Sequence, residues 1–218
     1  MKKSLLLSLS ILLLFCIPTI VPAEAQGKET SAEFLKEIDF LLLEEKLLTS
    51  KEGAFYSAED FELVPDGSEP FTSTSISGTP VTDFVIRSKV SWQASDKLPK
   101  PDAFGYGFVF REQDPQNYLR TFLGLDGSVI TDGDFQGRIL ENPNGKFAEP
   151  NAVSSATLTI AANGRTVAVL VDGKLVTKLT DIVWTEPGNL GYAILNGTPA
   201  DAAAIRCKFE ETELLVLK

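Results

Sequence analysis

Four side chains form a set that could grip an oxygen-rich ligand: Arg87, Arg111, Tyr118 and Arg120. A guanidinium offers paired planar donors to hydroxyl or carboxylate oxygens, and a phenol adds a stacking face and a hydroxyl. Strand parity is what would bring the four together. In Tyr106–Arg111 the rings of Tyr106, Phe108 and Phe110 share one face, while Gly107, Val109 and Arg111 share the other. The aromatic face belongs in a core, which sends Arg111 to the outer, concave face of its sheet. In Tyr118–Leu125 the residues Leu119 and Leu123 take the core phase, leaving Tyr118 and Arg120 outward beside Arg111. In Thr82–Trp92 the set Phe84, Ile86, Val90 and Trp92 is core-like, and Arg87 points out. Against a binding platform stands the plainer reading, solvated arginines whose stems lie over apolar surface.

Other chemistry is narrowed by composition. Histidine is absent, which removes Ser-His-Asp and Cys-His nucleophile activation, His-ligated zinc and an imidazole proton shuttle. The two cysteines are Cys16, inside the leader, and Cys207, whose alternating neighbourhood places it with Ile205 and Phe209 as a buried, inert thiol. No transition-metal site and no cofactor is expected. The run Asp132-Gly133-Asp134-Phe135-Gln136-Gly137 begins like a calcium loop, but its twelfth position is Pro143 rather than a bidentate Glu. An exposed strand-edge turn is the better reading of these residues, with calcium near Asp132 and Asp134 left open.

The elements that must position these residues are short strands. Phe104–Gly127 holds two runs of alternating β-branched and aromatic residues around a turn cluster at Glu112–Asn117, the pattern of an antiparallel hairpin. Asp126-Gly127 and Asp172-Gly173 are hairpin-turn dipeptides. Further strands are expected near Phe61–Val64, Val129–Thr131, Ala156–Ala162, Thr166–Val171, Lys174–Leu179, Asn189–Leu195 and Ala204–Val216. This spacing predicts an all-β antiparallel two-sheet sandwich or jelly roll over 54–218. Residues 26–53 differ. Thr30-x-x-Glu33 resembles a capping box, and Phe34, Leu35, Ile38, Leu41 and Leu42 recur at helical spacing. A helix near 31–43 follows, although the Leu-rich end up to 48 also reads as a first strand.

Residues 1–25 read as a signal peptide: Lys2-Lys3, the apolar run Leu5–Ile17, then Ala23-Glu24-Ala25 as a small-x-small cleavage site. Lipoprotein anchoring at Cys16 is the rival, and Phe15 beside it fits a lipobox poorly. The expected compartment is therefore secreted or extracytoplasmic. The sequence holds no second apolar run of membrane length. Cleavage removes two lysines and one glutamate, taking the net charge from −10 to −11. Such a surface repels phosphate-bearing partners, so neither nucleic acid nor anionic membrane is expected, and the chain reads as a monomer. Asn196-Gly197-Thr198 fits a glycosylation acceptor, but Pro199 follows it and the leader is of bacterial type.

The ordered segments GFVFR (Gly107–Arg111), QNYLRTFLGLDG (Gln116–Gly127), NGRTVAVLVDGKLV (Asn163–Val176), GNLGYAI (Gly188–Ile194) and IRCKFEETELLV (Ile205–Val216) resemble concanavalin A-like lectin/glucanase domains. The likeness is greatest to the secreted bacterial 3-keto-disaccharide hydrolase-like branch, filed beside family 16 glycoside hydrolases. The resemblance implies a concanavalin-like jelly roll and a carbohydrate partner, but not catalysis by itself. Glu37-Ile38-Asp39-Phe40 looks like the start of the E-x-D-x-x-E strand of those glycosidases, yet positions 42 and 43 are both Leu. Without the second carboxylate no acid and nucleophile can flank a glycosidic bond, so the match is read as coincidence. Glycan binding without glucanase-type catalysis is the expected function. The alternatives are a hydrolase or lyase acting on 3-keto-glycosides, which needs a placed Asp, Glu, Lys or Tyr base, and a structural cell-envelope domain.

Overall fold

Alternation of large apolar and small or polar residues splits each strand between two faces, and here both faces of one sheet are apolar. The computed structural model describes residues 30–64, 71–94, 104–141, 145–146, 155–196 and 205–218. The signal peptide, Cys16, Pro143 and most of the glycosylation acceptor lie outside them.

Sheet A runs β1 (Gly53–Ser57), β14 (Ile205–Leu217), β4 (Phe84–Ala94), β10 (Ser155–Asn163), β11 (Thr166–Val171) and β12 (Lys174–Leu179), with β2 (Phe61–Leu63) also pairing β14. Sheet B runs β3 (Phe71–Ser75), β13 (Asn189–Asn196), β5 (Phe104–Asp114), β6 (Asn117–Gly124), β7 (Ser128–Phe135) and β8 (Arg138–Glu141), with β9 (Gly145–Lys146) also pairing β7. Every pairing is antiparallel, as a jelly-roll sandwich requires. The two Asp-Gly turns close hairpins as expected. At the second, Asp172 (φ 49°) and Gly173 (φ 72°) both take the left-handed conformation that matches strand twist. The helix α1 spans Ala32–Leu43, which settles the 31–48 ambiguity, but its N-cap is Ser31, whose side chain accepts from Phe34 N. Thr30 is not the cap.

The space between the sheets is filled by Phe84, Ile86, Val90, Leu158, Ile160, Val169 and Phe209 from sheet A, and by Tyr106, Phe108, Phe110, Leu119, Leu123 and Tyr192 from sheet B. Phe108 lies against Tyr192 and Phe209, each at 5.8 Å between ring centroids. Cys207 is buried there too, and burial pushes its thiol well up, so it is inert. A second core lies on the outer face of sheet A, where Phe34, Ile38 and Leu41 of α1 pack on Val85, Ala161, Ala168, Leu170 and Leu215. Sheet A is thus apolar on both faces. Replacing Phe108 or Phe110 by Ala should cost about 3–5 kcal/mol in chemical denaturation, because neither ring has solvent to retreat to. A loss near zero for both would contradict the strand phase described above.

Candidate functional site

The four arginine and tyrosine candidates do not share one surface. Arg111 departs most from expectation. Strict alternation would put it on Val109's face, outside sheet B. Instead it takes a left-handed backbone conformation (φ 51°) at an irregularity in the β5–β6 register between Phe110 and Asp114, and its side chain is fully buried. Its Nε donates to Thr82 O (3.0 Å), Nη1 to Trp184 O (2.7 Å), and Nη2 to Gly164 O (2.8 Å) and Asp83 Oδ1 (3.2 Å). Trp184 Nε1 returns a bond to Arg111 O at 2.8 Å. Burial lowers the guanidinium pKa, and Asp83 opposes that shift. Arg111 is a clamp inside the fold, not part of an outer platform. Gly188 is required beside it, since a Cβ there would sit 2.3 Å from the Arg111 carbonyl carbon.

Arg87 does point out of sheet A, but α1 covers it. Its Nη1 meets Glu213 Oε2 at 3.4 Å, and its Nε lies 3.6 Å from Glu37 Oε2. Glu213 also accepts from Ser31 N and Oγ, and Glu37 from Thr159 Oγ1 at 2.5 Å. Glu37 and Asp39 therefore sit on a helix. Glu37 faces sheet A, and Asp39 pairs with Lys51 at 2.8 Å. Arg87 belongs to helix docking, on the opposite sheet from Tyr118 and Arg120.

Tyr118 and Arg120 do lie together on the outer face of sheet B. The Arg120 guanidinium carbon stands 5.3 Å from the Tyr118 ring centroid and 5.4 Å from that of Phe122, a cation held between rings at i−2 and i+2 of one strand. Below them Val109, Phe122 and Ala193 form a small apolar floor. Arg120 is gripped by Asp132 through both fork positions, Nε to Oδ1 and Nη2 to Oδ2 (3.1 Å). Asp132 and Asp134 are cross-strand partners of Arg120 and Tyr118 on β7. They stand on a strand rather than in the exposed turn expected of them; the turn comes later, at Gln136 and Gly137, where Gly137 N donates to Asp134 Oδ1. No group of three or more Cys, Asp or Glu among the described residues is placed to hold a metal ion.

Glu112 was missed. It follows Arg111 within the irregular stretch of β5, and its charge is the smallest of the causes that raise the Tyr118 phenol. Burial is the main cause of the Tyr118 shift, with Arg120 opposing and Asp132, Asp134 and Glu112 reinforcing. Burial also raises Glu112 itself. Parity applied to β7 could have found Asp132 and Asp134. Nothing in the sequence marks the phase change that delivers Glu112.

No protein-family model and no curated protein sequence matches the chain. Solved structures do. The carbohydrate-binding module CBM66 from Bacillus subtilis matches with TM-score 0.51 and 15% identity, over 74% of this chain and 95% of that one. The metal-free carbohydrate recognition domain of Emp46p matches with TM-score 0.54 and 15% identity, over 76% and 88%. The shared fold is a concanavalin-like antiparallel jelly-roll sandwich. An Aspergillus kawachii β-fructofuranosidase complexed with glycerol shares it at TM-score 0.54 and 10% identity, over 79% of this chain and 29% of the enzyme. The concanavalin-like sandwich thus recurs in binding modules and in an enzyme, so function rests on the site.

Two outcomes follow for the buried arginines. Arg111→Ala should lose about 3–5 kcal/mol of unfolding free energy, since it strands three carbonyls and Asp83. Lysine, lacking the fork, should recover little of it. Glu37 is raised above its ordinary 4.5 by burial, against Thr159 and Arg87. The folded state then holds that proton more tightly than the unfolded chain, so stability falls as pH rises from 4.5 through the folded value. Subtracting the denaturation profile of Glu37→Gln should isolate this downward slope; a flat difference would contradict it.

Proposed function

We propose that the chain is an extracytoplasmic glycan-binding domain without glucanase-type catalysis, and that the outer face of sheet B around Tyr118 is its binding surface. The observation that carries the reading is the convergence of a partly exposed Tyr118 ring with the Arg120–Asp132 pair, Asp134 and Glu112. An aromatic face stacks on the apolar face of a sugar, while carboxylates and a guanidinium exchange hydrogen bonds with its hydroxyls. Support comes also from the binding modules among the solved structures that share the fold. The leader-like N-terminus supports export. Against glucanase chemistry, the acidic pair Glu37 and Asp39 lies on α1, over the other sheet.

One observation favours a second reading, a hydrolase or lyase acting on 3-keto-glycosides. Glu112 carries a raised pKa beside Tyr118 and is the type of base that proton abstraction next to a ketone needs. A glycan array paired with a 3-keto-glycoside turnover assay separates the two. Tyr118→Ala should weaken glycan binding by about 1–3 kcal/mol while leaving the melting transition in place. Under the binding reading no turnover is seen and Glu112→Gln alters affinity alone. Turnover abolished by Glu112→Gln would install the enzyme reading instead.

A further inference from the structure

We infer that the open edge of β1 is a self-pairing surface, through which two copies of the chain join their A sheets about a two-fold axis at Phe55. Among the described strands β1 pairs only with β14 and ends sheet A. Lys218 N donates to Glu52 O and Ala58 N to Thr212 O, so the even-numbered residues turn their backbone groups toward β14. An antiparallel ladder alternates, which leaves the N–H and C=O of Gly53, Phe55 and Ser57 directed at the open edge.

Sheet edges are normally blunted by charge, proline or a bulge. Two other edges here follow that rule: β12 carries Lys174 and Lys178, and β8 carries Arg138. The third, β3, is composed of serine and threonine after Phe71. In contrast, β1 reads Gly-Ala-Phe-Tyr-Ser, with no charge and no proline, and exposes Phe55 (39%) and Tyr56 (45%). Phe55 is steadied edge-on by Phe34 of α1, at 6.4 Å between centroids, so the strand is presented from a packed support.

The charges flanking the strand select a second copy as its partner. With Phe55 opposite Phe55 of the other copy, Gly53 falls opposite Ser57, and each such pair exchanges two backbone hydrogen bonds. The same register sets Lys51 opposite Glu59 at both ends. Lys51 is already drawn to the α1 side by Asp39, the side on which Phe55 lies. Two opposite-charge pairs thus stand where two copies of a strongly acidic chain would otherwise repel. This departs from the monomer expected from the sequence, and it does not depend on the glycan reading.

Sedimentation equilibrium of the secreted chain from micromolar to near-millimolar concentration tests it. The wild type should show a concentration-dependent dimer. Lys51→Glu and Glu59→Lys should each weaken it about tenfold by setting like charges face to face at both ends. The combined Lys51→Glu/Glu59→Lys variant should regain wild-type association, which a purely structural effect of either change would not produce. A monomer throughout, a dimer untouched by the single reversals, or a combined variant that fails to recover would each overturn the inference.

Discussion

A single buried guanidinium ties the two sheets together at one end of the sandwich. Arg111 comes from sheet B and binds Thr82 O and Asp83 at the entry to β4, Gly164 O at the β10–β11 turn, and Trp184 O. Its dry position costs solvation, and a left-handed conformation in a non-glycine residue adds about 1–3 kcal/mol. Both costs are offset by charge-assisted bonds to groups that would otherwise be stranded. Asp83 also accepts from Gly164 N, so the carboxylate organises the turn that the guanidinium then grips. The same backbone irregularity interrupts the alternation of β5 at Arg111, and the charge of the next residue, Glu112, is felt at Tyr118. Core clamp and candidate site are set by one departure from regular strand geometry.

The outer faces of the sheets are used differently, and that decides where a ligand surface can lie. Sheet A is closed on its outer side by α1, whose Phe34, Ile38 and Leu41 continue the apolar packing and whose Glu37 neutralises part of Arg87. Sheet B carries Tyr118, Arg120, Asp132 and Asp134 on its outer side, over Val109, Phe122 and Ala193. Along β13 and β5 the same face carries smaller residues, with Gly191 opposite Val109, Ala193 opposite Gly107 and Leu195 opposite Gly105. Side chains on this sheet thus rise toward β6 and β7 and fall away toward β13. The polar and aromatic groups stand on the higher flank.

What was legible in the sequence follows from regular alternation. Phe108, Phe110, Ile86, Val90, Val169 and Phe209 were placed by period-2 reasoning, and all are fully buried. The β5–β6 hairpin, the Asp-Gly turns and the outward phase of Tyr118 and Arg120 rest on the same logic. That logic fails where the backbone breaks phase. Arg111 looks like any strand residue in sequence, and its inward turn depends on partners 28 to 73 positions away. Arg87 was correctly sent outward, but one-dimensional parity carries no information about a helix lying over that face. The strands β1 and β3 escaped notice because Gly-Ala-Phe-Tyr-Ser and Phe-Thr-Ser-Thr-Ser contrast too little between alternate positions to be read as half-buried strands.

Binding and proton abstraction differ, on this face, in what Glu112 does. Asp132 has both oxygens on Arg120, and Asp134 accepts from Gly137 N. Tyr118 is raised by burial, so at neutral pH it keeps its proton and acts as a donor. With no histidine in the chain, Glu112 is the raised carboxyl whose charge is felt at Tyr118, the other raised carboxyl, Glu37, lying between α1 and sheet A. Raising a carboxyl strengthens it as a base and weakens it as an ionised hydrogen-bond acceptor at acidic pH. The burial that would help catalysis is therefore the same burial that would make sugar binding sensitive to acid, and the two functions pull on one residue in opposite directions.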